Sequence, residues 1–224
     1  MELFIPKPKA SCRQLLNIWL YLCLGFGLCF GFQALAAEPE AMLDAGRKAQ
    51  GQGRYSEAIV LYSRGLEATP QDIRLLRMRA EAFQYLGNLA KAEADLRAGL
   101  ALAPDDPALL EGMGWLKLFE KDFTGAESWL RKSLVQEPEN FWAQLNLAHA
   151  LLLQQRLPEA RTLYCRLAQT PDGQGLGTYM HKDFNKLQQQ KIVHPLFEEW
   201  ADQFTARCGV GLILPADCAQ LPRD

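Results

Sequence analysis

LRMRAEAFQYLGNLAKAEADLRAGLALAP, residues 76–104, decides the fold. Leu76, Ala80 and Phe83 recur at helical spacing, and then Gly87-Asn88 breaks the pattern. Leu89, Ala92, Leu96, Gly99 and Leu100 form a second apolar stripe at i, i+3, i+4 and i+7. Pro104-Asp105-Asp106-Pro107 stops that helix, because proline neither donates a main-chain hydrogen bond nor continues a helix. The stretch is therefore two helices joined by a tight turn. Small residues at Ala80 and Ala92 let the pair approach closely, where a bulky side chain would overpack the contact by about 1–3 kcal/mol.

The unit recurs outward in both directions. Pro70, Pro104 and Pro138 stand 34 residues apart, as do Ala58, Ala92, Ala126 and Ala160. Gly46, Ala80, Gly114 and Ala148 form a small-residue series in the same register. Tyr55, Leu89, Phe123 and Leu157 form a large apolar one, and Tyr62, Leu96, Leu130 and Tyr164 form another. Repetition at this period predicts a solenoid, because one helix pair cannot bury its apolar faces alone.

The pattern resembles the tetratricopeptide repeat family. Copy two offers Leu76, Ala80, Phe83, Ala92, Leu96 and Pro104, and copy three offers Leu110, Gly114, Ala126, Leu130, Ser133 and Pro138. The resemblance covers residues 39–172 as four copies: 39–72, 73–106, 107–140 and 141–172. Arg79 and Lys117 depart from it by standing where large residues are usual. In copy four, Leu167 replaces a small residue and Pro171 comes one place early, which predicts a looser last repeat. The implied architecture is all-α: a right-handed superhelical solenoid of about four repeats.

The last repeat needs a cap, and residues 178–207 are expected to supply it as a helix pair. Met180, Phe184 and Leu187 make one stripe; Leu196, Phe197, Trp200 and Phe204 make the other, with Pro195 at its start and Gly209 at its end. Gly173, Gly175 and Gly177 read as a flexible link, and residues 208–224 as an irregular tail.

The first 36 residues read as a secretion signal. Lys7, Lys9 and Arg13 precede an almost wholly apolar run from Leu15 to Phe32, and Ala34 and Ala36 fit the small-residue cleavage pattern. The run is long enough that both cleavage after Ala36 and retention as a membrane anchor stand. In either case the repeats cross to the non-cytoplasmic side, with a periplasm as the first expectation and a secretory lumen as the other.

Composition removes other classes. With 224 residues, 49% hydrophobic and 22% charged, the chain is neither wholly disordered nor a multi-span membrane protein. Its formal charge of -2 leaves no footprint for nucleic acid. His149, His181 and His194 form no metal-ligand spacing or catalytic triad: His149 reads as a helix-surface residue and His194, before Pro195, as a turn residue. No C-x-x-C pair or P-loop occurs, so no cofactor or metal is implied and the chain is expected not to be an enzyme. In an oxidising compartment Cys208 and Cys218 are expected to bridge, with two buried free thiols as the alternative; Cys165 is then left over in the last repeat helix.

The family resemblance places function in the concave groove, lined by the first helix of each repeat and taking a peptide or a partner helix. Carried onto this chain, the partner-binding candidates are Arg74, Arg77, Glu81 and Tyr85 in copy two, Glu111, Trp115 and Phe119 in copy three, and Trp142, Asn146 and His149 in copy four. Either tryptophan also reads as packing between repeats. Some chaperone-binding members grip a carboxylate through Lys and Asn, but the corresponding positions here include Leu43, Met78 and Gly112, so that clamp is not present. The mixed charge and aromatic residues suit a peptide with acidic and apolar side chains. The implied role is a scaffold or adaptor in assembling a cell-envelope complex, or a chaperone or regulatory subunit that holds an exported client.

Overall fold

The computed structural model describes residues 38–205, 207–208, 211–212 and 218, so the expected signal at 1–36 lies outside the described residues. Helix α1 covers residues 38–51. It is followed by α2 (Tyr55–Ala68), α3 (Ile73–Tyr85), α4 (Leu89–Leu102), α5 (Pro107–Phe119), α6 (Phe123–Gln136), α7 (Phe141–Leu153) and α8 (Leu157–Ala168). A 3-10 turn at Pro171–Gly175 leads to α9 (Leu176–Gln189) and α10 (Phe197–Thr205). None of the helices among the described residues is long and apolar enough to cross a membrane. The molecule is an all-α solenoid with one small addition, an antiparallel pair of two-residue strands, β1 (Arg207–Cys208) and β2 (Gly211–Leu212).

The 34-residue register sets the helix ends. Asp72, Asp106 and Asn140 each cap the first helix of a pair, their side chains accepting from main-chain N–H groups in the first turn. The turn inside each pair runs through a left-handed residue at the same register position: Gly53, Gly87, Lys121 and Gln155, at φ of 74°, 75°, 64° and 65°. The first two are the residue type that tolerates this conformation, and the last two are not.

The packing columns also hold. Tyr62, Leu96, Leu130 and Tyr164 are buried, as are Ala58, Ala92, Ala126 and Ala160. In the first and third copies the large residue faces a glycine of the partner helix: a Cβ on Gly46 would lie 2.2 Å from the Tyr62 ring, and one on Gly114 2.5 Å from Leu130. The two departures from the pattern are paired instead of apolar. Arg79 donates to both Asp95 oxygens, at 2.7 and 2.8 Å, and to Ser63 Oγ. Lys117 reaches Glu120 at 2.6 Å and Glu93 at 3.6 Å.

The C-terminal region differs from expectation in three ways, the first being that the strand pair β1–β2 lies at the start of the stretch read as an irregular tail. The glycine stretch is an ordered 3-10 turn, and Gly173 is there for space: a Cβ would lie 1.8 Å from the Leu167 carbonyl oxygen. The disulfide joins Cys165 to Cys218, not Cys208 to Cys218. Cys218 sits against α8, two residues 53 apart in sequence standing at a Cα separation of 5.0 Å, and both cysteines are buried. Gln169 donates to the Cys218 carbonyl beside it. His194 shapes the turn into α10, as its place before Pro195 suggested: its Nδ1 accepts from the Leu196 N–H and its carbonyl from the Phe197 N–H.

Candidate functional site: a cavity on the concave face

Helical spacing puts Arg77, Glu81, Gln84 and Tyr85 on one face of α3. Glu111 and Trp115 occupy the same face of α5, and Trp142 and Asn146 that of α7. These faces meet around a cavity of about 320 Å³. Helix α9 closes it from the far side with Asp183 and Lys186. Seven of the ten expected binding residues therefore share one site: Arg77, Glu81, Tyr85, Glu111, Trp115, Trp142 and Asn146.

The other three do not join it. Arg74, in the first turn of α3, pairs with Asp72 at 2.8 Å and with Glu40 of α1 at 3.0 Å. Phe119 is buried edge-on against Trp115, with ring centroids 5.1 Å apart. His149 is fully buried, which corrects both its place in the groove and its reading as a surface residue. Its Nδ1 lies 2.6 Å from Tyr164 Oη and its Nε2 3.5 Å from Asp183 Oδ2, so α9 covers it.

Asp183, Lys186 and Gln84 were not among the expected residues. The first two were legible as the polar face of α9, at i and i+3 behind the Met180, Phe184, Leu187 stripe. Lys186 donates to Tyr85 Oη at 2.9 Å, across 101 residues of sequence, and its Nζ stands 4.5 Å from the Tyr85 ring centre. The α9 helix thus lies across repeats two to four. The two tryptophans part company: Trp115 is buried, and Trp142 is 50% exposed, set edge-on to Tyr179 of α9.

Every carboxylate in the cavity has a donor. Glu81 accepts from Tyr85 Oη, Glu111 from Asn146 Nδ2, and Asp183 from Lys186. Burial, and then repulsion from Glu81, push the Glu111 carboxyl up to about 7, against the pull of Arg77 and the Asn146 hydrogen bond. Burial works in the same direction on Asp183, but His149 and Lys186 outweigh it and hold that carboxyl below the usual range. The Tyr85 phenol is raised well above its ordinary value by burial and the Glu81 charge. Nothing in this set is arranged as a nucleophile with an adjacent base. Among the described residues no group of three or more His, Cys, Asp or Glu could hold a metal ion.

The tetratricopeptide repeat family model matches residues 49–116 and 117–172, and the chain belongs to that family. It is 33% identical over 117 residues to human tetratricopeptide repeat protein 16, a match covering 49% of this chain and only 13% of that relative. Among solved structures it resembles a thermophilic tetratricopeptide repeat protein of Thermus thermophilus, with a TM-score of 0.58 at 17% identity, covering 74% of this chain and 98% of the other. It also resembles PilW, described as a widely conserved type IV pilus biogenesis factor, with a TM-score of 0.55 at 19% identity, covering 73% and 82%. At those identities the structural likeness speaks for the fold.

Proposed function

We propose that the chain is a non-catalytic protein-interaction module that holds a peptide or partner helix in its concave groove. We place it outside the cytoplasm, as a scaffold in assembling a cell-envelope complex. The observation that carries the binding reading is the cavity itself: aromatic, partly charged, and open beside an exposed Trp142 that the fold does not bury. Large apolar side chains left exposed next to a polar rim are a feature of interaction sites. The export reading draws support from the Cys165–Cys218 bridge, since such bonds persist in oxidising compartments, and from the signal pattern at residues 1–36.

A photoreactive residue in place of Trp142, followed by mass spectrometry of soluble and membrane fractions, tests both parts. One recurrent envelope protein as the adduct supports the scaffold; a spread of exported clients favours the chaperone reading. No adduct from a folded, exported chain would move the binding site off the groove. Trp115 is unsuited to this probe because it is buried.

A further inference from the structure

Two cavities on the concave face share a wall, and Lys186 is part of it. The cavity described above is lined by Glu81, Tyr85 and Lys186 among others. The same three side chains line a second cavity of about 330 Å³, whose further walls include Arg47, Gln50, Tyr55 and Met78. A lysine side chain crossing from α9 to Tyr85 of α3 therefore divides the face in two.

The Lys186 ammonium occupies a site suited to a cation. Its Nζ donates to Asp183 Oδ1 at 3.2 Å and to Tyr85 Oη at 2.9 Å, and that phenol donates in turn to Glu81 at 3.0 Å. It stands 4.5 Å from the Tyr85 ring centre and 5.9 Å from that of Trp115, within reach of both π faces. Glu81, Glu111 and Asp183 line the first cavity against Arg77 and Lys186. With Lys186 swung away, Arg77 alone opposes three carboxylates. Asp183 then keeps His149, 3.5 Å away, and a buried carboxylate short of positive charge is costly. An occupant that replaces Lys186 at low cost is therefore itself positive. The exchange needs no movement of α9: the lysine stem is flexible, and this side chain is already 27% exposed.

Resting on the groove reading above, we propose that Lys186 is an internal stand-in for a lysine of the partner, whose ammonium takes its place between Tyr85, Trp115 and Asp183 and joins the two cavities into one channel. This assigns the groove a basic segment, the opposite charge to the acidic one expected from the sequence. Lys186 also sets the threshold for binding, since a site self-occupied roughly nine-tenths of the time binds about tenfold more weakly than an empty one.

The test uses the full chain and end-blocked pentapeptides, Ala-Leu-X-Leu-Ala, with Lys, Gln or Glu at X. The Lys186 ε-methylene protons lie beside two aromatic rings, so their NMR shifts report displacement directly. The Lys peptide is expected to bind about tenfold tighter than the Gln peptide and to return those protons to the ordinary lysine position. Lys186→Ala should bind the Lys peptide about tenfold tighter than the unaltered chain does. Arg77→Gln removes the same charge but leaves Lys186 in place, and should gain no more than about threefold. Equal gains in the two variants would mean that net charge alone acts. A Lys peptide that binds while the Lys186 protons stay put sits elsewhere, and Gln or Glu peptides that bind as tightly as Lys remove the charge preference. Each of these outcomes overturns the proposal and leaves the groove reading standing. If no peptide binds either the unaltered chain or Lys186→Ala, the proposal fails as well. The Trp142 cross-link then decides the groove reading by itself: a captured partner keeps it, and an empty result ends it.

Discussion

Helices α3 and α7 are the same element two repeats apart, and the molecule uses them differently. On α3, Leu75, Leu76, Met78, Ala80 and Ala82 are buried, while Arg77 and Glu81 face an open cavity. On α7, every residue from Leu145 to Leu153 is buried, including Asn146 and His149. The difference comes from α9, whose Phe184 packs on His149 at 4.9 Å and whose Asp183 faces the same ring. Position in the repeat decides which side chains point into the groove. Whether the groove is open there is decided by a helix outside the repeats.

The largest test of this contrast removes what holds α9 down. Phe184 is buried and stacked on Phe197 of α10, with centroids 4.1 Å apart and planes 4° from parallel. Phe184→Ala is expected to destabilise the fold by about 3–5 kcal/mol in chemical denaturation. Hydrogen exchange should show α7, α9 and α10 losing protection while α2 and α3 keep theirs. Equal loss at both ends would mean that the solenoid unfolds as one unit and the contrast is only geometric. The disulfide comes next. It closes a loop of 53 residues that contains the whole α9–α10 hairpin, and Cys218→Ser should cost up to about 4 kcal/mol in the chain-entropy picture. The loss should fall on the same three helices.

The open end is marked by Glu111. Its carboxyl goes from an unfolded value of 4.5 to about 7 in the fold, so the folded state binds the proton more tightly. Stability from this group is full below pH 4.5, falls as pH rises toward 7, and levels off above it. Glu111→Gln should remove that slope and stabilise the chain at about pH 8 by on the order of 2–3 kcal/mol. A parallel pH dependence in the variant would show that the strain lies elsewhere. Asp183, at the covered end, has the opposite sign: its lowered value contributes stability above pH 3.8 that is lost as pH falls below it.

Most of the repeat geometry is legible because it is local. Proline, small and large columns at a spacing of 34 translate directly into caps, close contacts and turns. Which residues share a face of α3 and of α5 follows from the same periodicity, and that this face is the concave one follows from the family resemblance. The places of His149 and Phe119 do not, since nothing within a repeat says what will lie over it. The disulfide pairing is hidden for a related reason. Cys208 and Cys218 are near in sequence, but the meeting of Cys218 with Cys165 of α8 is a tertiary event with no local signature. Arg79 is the converse case: it reads as a flaw in the column, and its partner Asp95 stands 16 residues away in the facing helix.

The smallest expected effect separates the two halves on backbone conformation alone. Positions 53, 87, 121 and 155 share a left-handed φ between 64° and 75°, yet only the first two are glycine. A side chain in that region costs about 1–2 kcal/mol, partly offset because glycine loses more freedom on folding. Lys121→Gly and Gln155→Gly should therefore each stabilise the fold, by about 0.5–1 kcal/mol, and Gly87→Ala should destabilise it by a similar amount. Gly87 has open space for a Cβ, with nothing nearer than 3.7 Å, so the alanine effect would report conformation and not a clash. No gain at positions 121 and 155 would mean that those side chains contribute contacts in the later turns that the earlier turns do without.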